Sequence, residues 1–296
     1  MIPGATHNDD LVEVLIMLAL HPKVVDVIWA AVEPLIPKRP PVVHPLGCHR
    51  PRIADRLCFE AILFRLVTGC SWDVAGRLGK GSETTLRNRR DEWVEAGVFE
   101  QLFEEALAGY DKIIGLDLSE VSIDGSQHKA PFGGEGTGRN STDRGKQGWK
   151  WSVAGDRDGI PIGWAIAGAN RHDMVLLRPT LDDIAARGLT VDIETLHLDR
   201  GYDGQPARDI VAAAGIDDLV CARKRKRGTP PDPKPAPLGM RWPIERTNSW
   251  LSNYGQLRRN TDRRIIHRLA AMALAIALIL TIKLVKWAER WNQQPT

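Results

Sequence analysis

The sequence predicts an α/β fold: a mixed sheet flanked by helices and preceded by an all-helical N-terminal region. Up to about residue 109, apolar residues recur at the helical spacing of roughly 3.6 residues. From Glu120 onward they alternate with polar residues, as in half-buried strands. Three meandering strands are then followed by alternating helices and strands, an order that is typical of a mixed sheet covered by helices.

The N-terminal region, which we place at residues 1–112, is divided by helix-breaking and helix-capping residues. Prolines interrupt the helical pattern within residues 36–51. Asp55 can cap the helix that follows, and Gly69 is suited to end it. This region is therefore predicted to consist of several short helices.

A helix-turn-helix-like unit is predicted at about residues 71–96. Ser71 can cap a short helix, glycines form the turn, and Ser82 can cap the helix that continues to Ala96. A helical hairpin with a basic solvent face fits the same pattern equally well. The second helix supplies three candidate DNA contacts: Arg87, Arg89 and Arg90.

Residues 113–296 are predicted to form the α/β domain. A short strand ends at Asp124, a glycine-rich loop follows over residues 133–148, and a β-hairpin turns at residues 156–159. The hairpin carries three tryptophans that we expect in the core: Trp149, Trp151 and Trp164.

Helices and strands alternate in the rest of this domain. The expected order is a helix over 174–187, a strand over 195–198 that ends at Asp199, a helix over 206–214, a strand over 218–222, a basic loop over 223–237, a helix near Pro243 and a C-terminal helix over 265–291. The apolar run of that last helix, residues 269–282, is shorter than the ~18–20 residues that span a bilayer. We therefore predict a core helix and no membrane contact.

Charge and cysteine content indicate the partner and the compartment. The net charge is +3, but thirteen basic and three acidic residues give residues 221–268 a charge of +10, which leaves −7 for the remainder. This excess predicts a polyanionic partner, although a solvated basic face is the plainer alternative. The four cysteines form no Cys-x-x-Cys pair, and Asp9 and Asp10 stand where a secretory signal would be basic, so we expect a cytoplasmic protein.

Three carboxylates are the candidate catalytic and metal-binding residues. Asp124 and Asp199 follow the first and fourth strands, and Glu245 lies near the start of the helix after the basic loop. If these strands are neighbours, their ends bring two carboxylates together and the helix can add the third. Oxygen ligands without histidine or cysteine favour Mg²⁺ or Mn²⁺, and two such ions about 4 Å apart can assist phosphoryl transfer. Each acid alone could instead be a cap or a turn former.

The stretches around these acids resemble the acidic motifs of bacterial insertion-sequence DDE transposases, in particular the insertion-sequence-five-like group. They are IDGSQHK (123–129), LHLDRGYDG (196–204) and RWPIERTNSWL (241–251), and GANRHD (168–173) is also similar to that group. The resemblance implies a ribonuclease-H-like catalytic domain preceded by a DNA-binding region. It also implies a homodimer that binds double-stranded DNA at inverted repeats, then cuts it and transfers strands to a target, in a bacterial cytoplasm at the nucleoid.

The resemblance also assigns roles to individual residues. Asp124, Asp199 and Glu245 would hold two metal ions, and Arg241 stands where the family signature Y-x2-R-x3-E-x6-K has an arginine that meets the DNA backbone. Leu238 and Ser252 stand where the signature has its tyrosine and lysine. The candidate DNA contacts of this domain are Arg241, Arg246, Arg258, Arg259, Arg223, Lys224, Arg225, Lys226 and Arg227.

Three other functions remain open at this stage. A ribonuclease-H-like nuclease that cuts without joining would share the three acids, and a non-catalytic helix-turn-helix regulator would need only the N-terminal region. A two-carboxylate glycosidase is disfavoured by the basic tract and by the third acid.

Overall fold

The computed structural model describes residues 20–38, 52–78, 81–221 and 241–292, which fall into two compact units. Of these described residues, the helical unit takes those up to Gly109, Tyr254–Leu257 and those from Ile266 onward, and the sheet unit takes those within Tyr110–Asn253 and Arg258–Ile265. Several predictions concern residues outside the described ones: the start of the chain, Leu238, and the basic loop with Arg223, Lys224, Arg225, Lys226 and Arg227.

Ten α-helices lie within the described residues. In chain order they are α1 Pro22–Val32, α2 Asp55–Thr68, α3 Trp72–Leu78, α4 Glu83–Glu95, α5 Val98–Ile113, α6 Met174–Ala186, α7 Gln205–Ala213, α8 Trp242–Ser252, α9 Gly255–Arg258 and α10 Ile265–Trp291. The predicted helices over 174–187, 206–214 and 265–291 correspond to α6, α7 and α10, whereas α5 and α9 were not predicted individually.

The predicted caps of the helix-turn-helix-like unit are confirmed. Ser71 accepts a hydrogen bond from the Val74 N–H at 3.3 Å, and Ser82 accepts one from the Thr85 N–H at 3.2 Å. Gly69 ends α2 in the left-handed conformation, with φ of 72°. The prediction that Asp55 caps α2 is wrong, because Asp55 is the first residue of that helix.

The C-terminal helix α10 belongs to the core of the helical unit. It has 27 residues and a segment of mean hydropathy 2.2, so length and composition alone would allow it to cross a membrane. Within the structure, 67% of that segment is buried, as in the core helix of a globular unit. The predicted domain bounds, which assign α10 to residues 113–296, remain a prediction.

The sheet unit contains a mixed sheet, as the sequence predicts. The order is β4-β3-β1-β5-β6, with β2 paired to one end of β3. β3 runs antiparallel to β1 and β4, whereas β5 and β6 run parallel to β1. The strands are β1 Glu120–Lys129, β2 Gly138–Arg139, β3 Gln147–Gly155, β4 Pro161–Gly168, β5 Thr195–Leu198 and β6 Asp218–Cys221.

The core of this unit is built on the interior strand β3. Trp149 and Trp151 are fully buried and meet edge to face, with ring centroids 5.3 Å apart. Trp164 on β4 is buried as well, so the prediction of three core tryptophans is confirmed. The β3–β4 turn is held by Asp156, whose carboxylate accepts hydrogen bonds from the N–H groups of Asp158 and Ile160.

Strand β1 is longer than the sequence predicts, because it does not end at Asp124. Its parallel pairing with β5 stops at Ile123, but its antiparallel pairing with β3 continues to Lys129. Asp124 therefore lies inside a strand, at the position where one of its two neighbours ends.

Candidate active site

Asp124 and Asp199 lie side by side at the edge where β5 ends. In the parallel register Ile123 is paired with Leu198, so the next residue of each chain segment is an aspartate. Asp199 begins a tight turn, and its carboxylate accepts a hydrogen bond from the Gly201 N–H at 2.6 Å. The predicted neighbourhood of the first and fourth strands is thus confirmed.

The Asp124 carboxyl is partly buried among other acids. Desolvation raises its pKa to about 6, and the negative charges of Asp199 and Asp173 act in the same direction. The Gly125 N–H and the positive charge of Arg241 oppose the rise of this pKa. The ionised form of Asp124 is therefore disfavoured unless a cation offsets the converging negative charge.

Helix α8 contributes a hydrogen bond to Asp124 from its inner face. Asn248 is buried, and its Nδ2 donates to Asp124 Oδ2 at 3.3 Å. The Oδ1 atom of Asn248 accepts a hydrogen bond from Trp151 Nε1 at 2.8 Å. Asn248 was not predicted from the sequence, although it lies within the motif that contains Glu245.

Glu245 lies in the first turn of the same helix, but its side chain is 58% exposed and forms an ion pair with Arg241 at 3.4 Å. Within the part of the chain that the structure describes, no three His, Cys, Asp or Glu side chains are arranged to hold a metal ion. The structure therefore brings Asp124 and Asp199 together, and the role of Glu245 as a third ligand stays a prediction.

A buried lysine and a third aspartate complete the surroundings of Asp124. Lys150 on β3 is fully buried, and its Nζ donates to Asp173 Oδ1 at 2.7 Å. A Cβ atom at Gly125 would lie 2.7 Å from Asp173 Oδ1, so a larger residue after Asp124 would displace the Asp173 carboxylate. The sequence contained one indication of this pair, since Asp173 ends the GANRHD stretch.

Tyr202 faces the same group of acids. It is buried, and its pKa is raised above the usual range by burial and by the charges of Asp173, Asp124 and Asp199. Its hydroxyl therefore stays protonated and uncharged at physiological pH. It can donate a hydrogen bond, but it cannot neutralise the negative charge of the site.

These residues fit a hard divalent cation. Asp124 and Asp199 offer carboxylate oxygens, which Mg²⁺ and Mn²⁺ prefer. The raised pKa of Asp124 shows that burial and its acidic neighbours disfavour the ionised carboxylate, and a bound cation would reverse this penalty.

Comparison with known proteins identifies the family. Residues 115–280, more than half of the chain, match the family described as "Transposase DDE domain", and residues 24–103 match "Putative transposase of IS4/5 family". The chain belongs to the DDE transposase family. It is therefore a DNA transposase that depends on a divalent metal and transfers polynucleotide strands, as the resemblance of its three acidic motifs predicted.

Two proteins of Burkholderia cepacia are similar to this transposase. It is 33% identical over 149 residues to "Putative transposase for insertion sequence element IS402", a match that covers 48% of this chain and 67% of that protein. It is 32% identical over 119 residues to "Insertion element IS402 uncharacterized 16.2 kDa protein", with 40% and 80% covered. The structure "Crystal structure of a pre-cleavage Mos1 transpososome" aligns over 95% of this chain and 98% of that chain, at 10% identity and a TM-score of 0.26.

Two of the three arginines of α4 that were predicted to contact DNA are buried instead. Arg89 is buried, donates to Asp55 and to the Ile53 carbonyl at 3.1 Å, and faces the Trp93 ring. Arg90 is also buried and has its guanidinium 5.0 Å from the centroid of the Trp72 ring. These two arginines therefore stabilise the helical unit of the transposase and are not available to DNA in this structure.

Arg87 on the same helix is exposed, and a nearby glutamate, Glu83, lies 3.7 Å away. Of the predicted contacts in the sheet unit, Arg241, Arg258 and Arg259 are also exposed. Arg246 is not, because its guanidinium lies between two tryptophan rings and donates to the Asp158 carbonyl. Arg246 thus ties α8 to the β3–β4 turn, a role that the sequence pattern did not indicate.

Proposed function

We propose that this transposase binds the terminal inverted repeats of its own mobile element, cuts the DNA ends and joins their 3′-hydroxyls to target DNA. Asp124, Asp199 and Glu245 are the proposed metal ligands. The observation that carries this proposal is the strand register, which supports a shared site for Asp124 and Asp199 at one edge of the sheet.

The metal is proposed to be Mg²⁺, with Mn²⁺ as a substitute and two ions per site. Bound there, such ions supply activation of the attacking oxygen and stabilisation of the leaving oxygen in phosphoryl transfer. Asp124 and Asp199 would bind both ions, and Glu245 would complete one site after leaving its ion pair with Arg241. Arg241 would then be free to pair with a DNA phosphate.

DNA is proposed to be held by the exposed arginines and by the basic loop. Arg241, Arg258 and Arg259 are solvent-exposed in the sheet unit, and the main chain of Arg259 is bridged to Lys129 at the end of β1. Phosphate contacts of this kind release counterions, so affinity should fall steeply with salt. We also propose a homodimer that pairs two ends in the bacterial cytoplasm, at the nucleoid and without membrane contact.

The test is a cleavage and joining assay on the DNA ends that flank the gene. Wild type should cut and join these ends with Mg²⁺ and lose both activities in EDTA, and Asp124→Ala should do neither. Asp192→Asn, which changes an exposed aspartate of the same unit, is the matched control and should behave as wild type. Joining by Asp124→Ala would refute the proposed site, and cutting without joining by wild type would indicate a nuclease instead.

A further inference from the structure

We propose that Asn248 is a positioning residue for Asp124, acting in a hydrogen-bond chain from Trp151 through Asn248 to Asp124. The chain consists of the 2.8 Å bond from Trp151 Nε1 to Asn248 Oδ1 and the 3.3 Å bond from Asn248 Nδ2 to Asp124 Oδ2. The inference rests on the proposed function in one respect, namely that Asp124 is a metal ligand.

The direction of this chain is fixed by its first member. The indole N–H of Trp151 can only donate, so the amide of Asn248 must turn its oxygen toward the ring. The amide nitrogen, which can also only donate, is then left facing Asp124. Asp124 must therefore present an acceptor oxygen to Asn248, and a single orientation of the amide satisfies both bonds.

The two supporting residues are more deeply buried than Asp124. Trp151 is fully buried on the interior strand β3, and its ring stacks on His128 with centroids 3.6 Å apart. Asn248 is buried on α8, next to Thr247, whose hydroxyl donates to the Gly159 carbonyl. The chain therefore links the buried core of the sheet unit to Asp124, one of the three proposed metal ligands.

The chain also explains how one helix can serve two parts of the site. Asn248 follows Glu245 by three residues, so the two lie about one turn apart on α8. When α8 is seated with Asn248 against Asp124, the predicted third ligand is carried on the same rigid element. When a group that hydrogen-bonds to a metal ligand is removed, metal affinity or activity commonly falls by about 10–100-fold.

The experiment measures Mn²⁺ binding to the full chain by electron paramagnetic resonance, with thermal unfolding recorded for each variant. Asn248→Leu removes both hydrogen bonds at similar volume, and we expect it to weaken Mn²⁺ binding by about 10-fold or more. Asn253→Leu, the same substitution at an exposed residue after the end of α8, should leave Mn²⁺ binding unchanged.

A second variant keeps the inference testable if Asn248→Leu fails to fold. Trp151→Phe removes the indole donor and part of the ring volume while leaving the Asn248 amide in place, and it should weaken Mn²⁺ binding by a smaller factor in the same direction. In the wild type, the indole N–H resonance of Trp151, assigned by its loss in Trp151→Phe, should shift when Mg²⁺ is added. A folded Asn248→Leu or Trp151→Phe variant that binds Mn²⁺ as tightly as wild type would overturn the inference, as would an unmoved resonance.

Asp124→Asn separates this inference from the proposed function. If Asp124→Asn leaves Mn²⁺ binding intact, Asp124 is not a ligand, and both the proposed site and the positioning role fail. If Asp124→Asn abolishes binding while Asn248→Leu and Trp151→Phe do not reduce it, only the positioning role fails.

Discussion

Arg89 in the helical unit and Asp124 in the sheet unit are charged side chains with opposite kinds of neighbour. In the helical unit, the buried Arg89 meets a carboxylate and a carbonyl oxygen, so its charge has opposite partners. In the sheet unit, Asp124 is partly buried beside two further acids, Asp199 and Asp173, so like charges converge. A buried charge with partners of opposite sign makes each partner necessary to the fold, whereas converging like charges cost stability and are typical of a site that binds a cation.

The largest expected effect comes from removing one of the converging charges. Asp199→Asn should lower DNA cleavage by roughly 10³-fold, since metal ions at such sites contribute several kcal/mol to the transition state. The same variant should be as stable as wild type or more stable by about 1 kcal/mol, because one like charge beside Asp124 is gone. Activity on the DNA ends and urea unfolding measure the two quantities.

Asparagine can keep the hydrogen bond from the Gly201 N–H, so a loss of stability is not expected from the turn. A clear drop in the free energy of unfolding of Asp199→Asn would contradict the view that the sheet edge is under electrostatic strain.

The second effect is a loss of stability in the helical unit. Arg89→Met should lower the free energy of unfolding by about 1–3 kcal/mol, because the Ile53 carbonyl and the partly exposed Asp55 lose their donor. Arg87→Met, an exposed change on the same helix, should alter it by less than about 0.5 kcal/mol. Chemical denaturation of the two variants makes the comparison, and equal losses would contradict the structural role of Arg89.

The third expected effect is a change in DNA affinity without a change in the free energy of unfolding. Arg258→Ala and Arg259→Ala should each weaken binding to DNA of any sequence and reduce the slope of log affinity against log salt by about 1. Both side chains are exposed, so unfolding should not change. Fluorescence anisotropy over a range of salt concentrations tests this, and an unaltered slope would remove these arginines from the DNA-binding surface.

The sequence was sufficient for features that depend on local pattern. Helix caps at Ser71 and Ser82 follow from local chemistry, and the alternation of strands and helices led to the neighbourhood of Asp124 and Asp199. The end of β1 was misjudged because its length is set by a distant antiparallel partner, β3, rather than by its own residues.

The sequence interpretation was least accurate for the burial of charged side chains. The buried residues of α4 are Leu86, Arg89, Arg90 and Trp93. Their spacing places both arginines on the apolar face of the helix, so the pattern was present but was outweighed by the expectation that arginine is solvated. The partners of Asn248, Lys150 and Asp173 lie far away in the sequence, and only the folded sheet brings them together.

The smallest expected effect concerns His128, a buried titratable side chain that the native state keeps uncharged. Burial lowers the pKa of His128 to about 3, whereas the unfolded chain has a value near 6.5. Between these values the unfolded state binds a proton that the native state does not, so stability is complete above pH 6.5 and falls as the pH decreases. The expected fall is at most about 1.4 kcal/mol per pH unit.

His128→Phe keeps an aromatic ring against Trp151 but removes this dependence, so its unfolding free energy should change less than that of wild type between pH 6.5 and 5. Parallel slopes for the two proteins would show that His128 is charged in the native state, and the sheet unit would then contain an unpaired buried cation beside its buried acids.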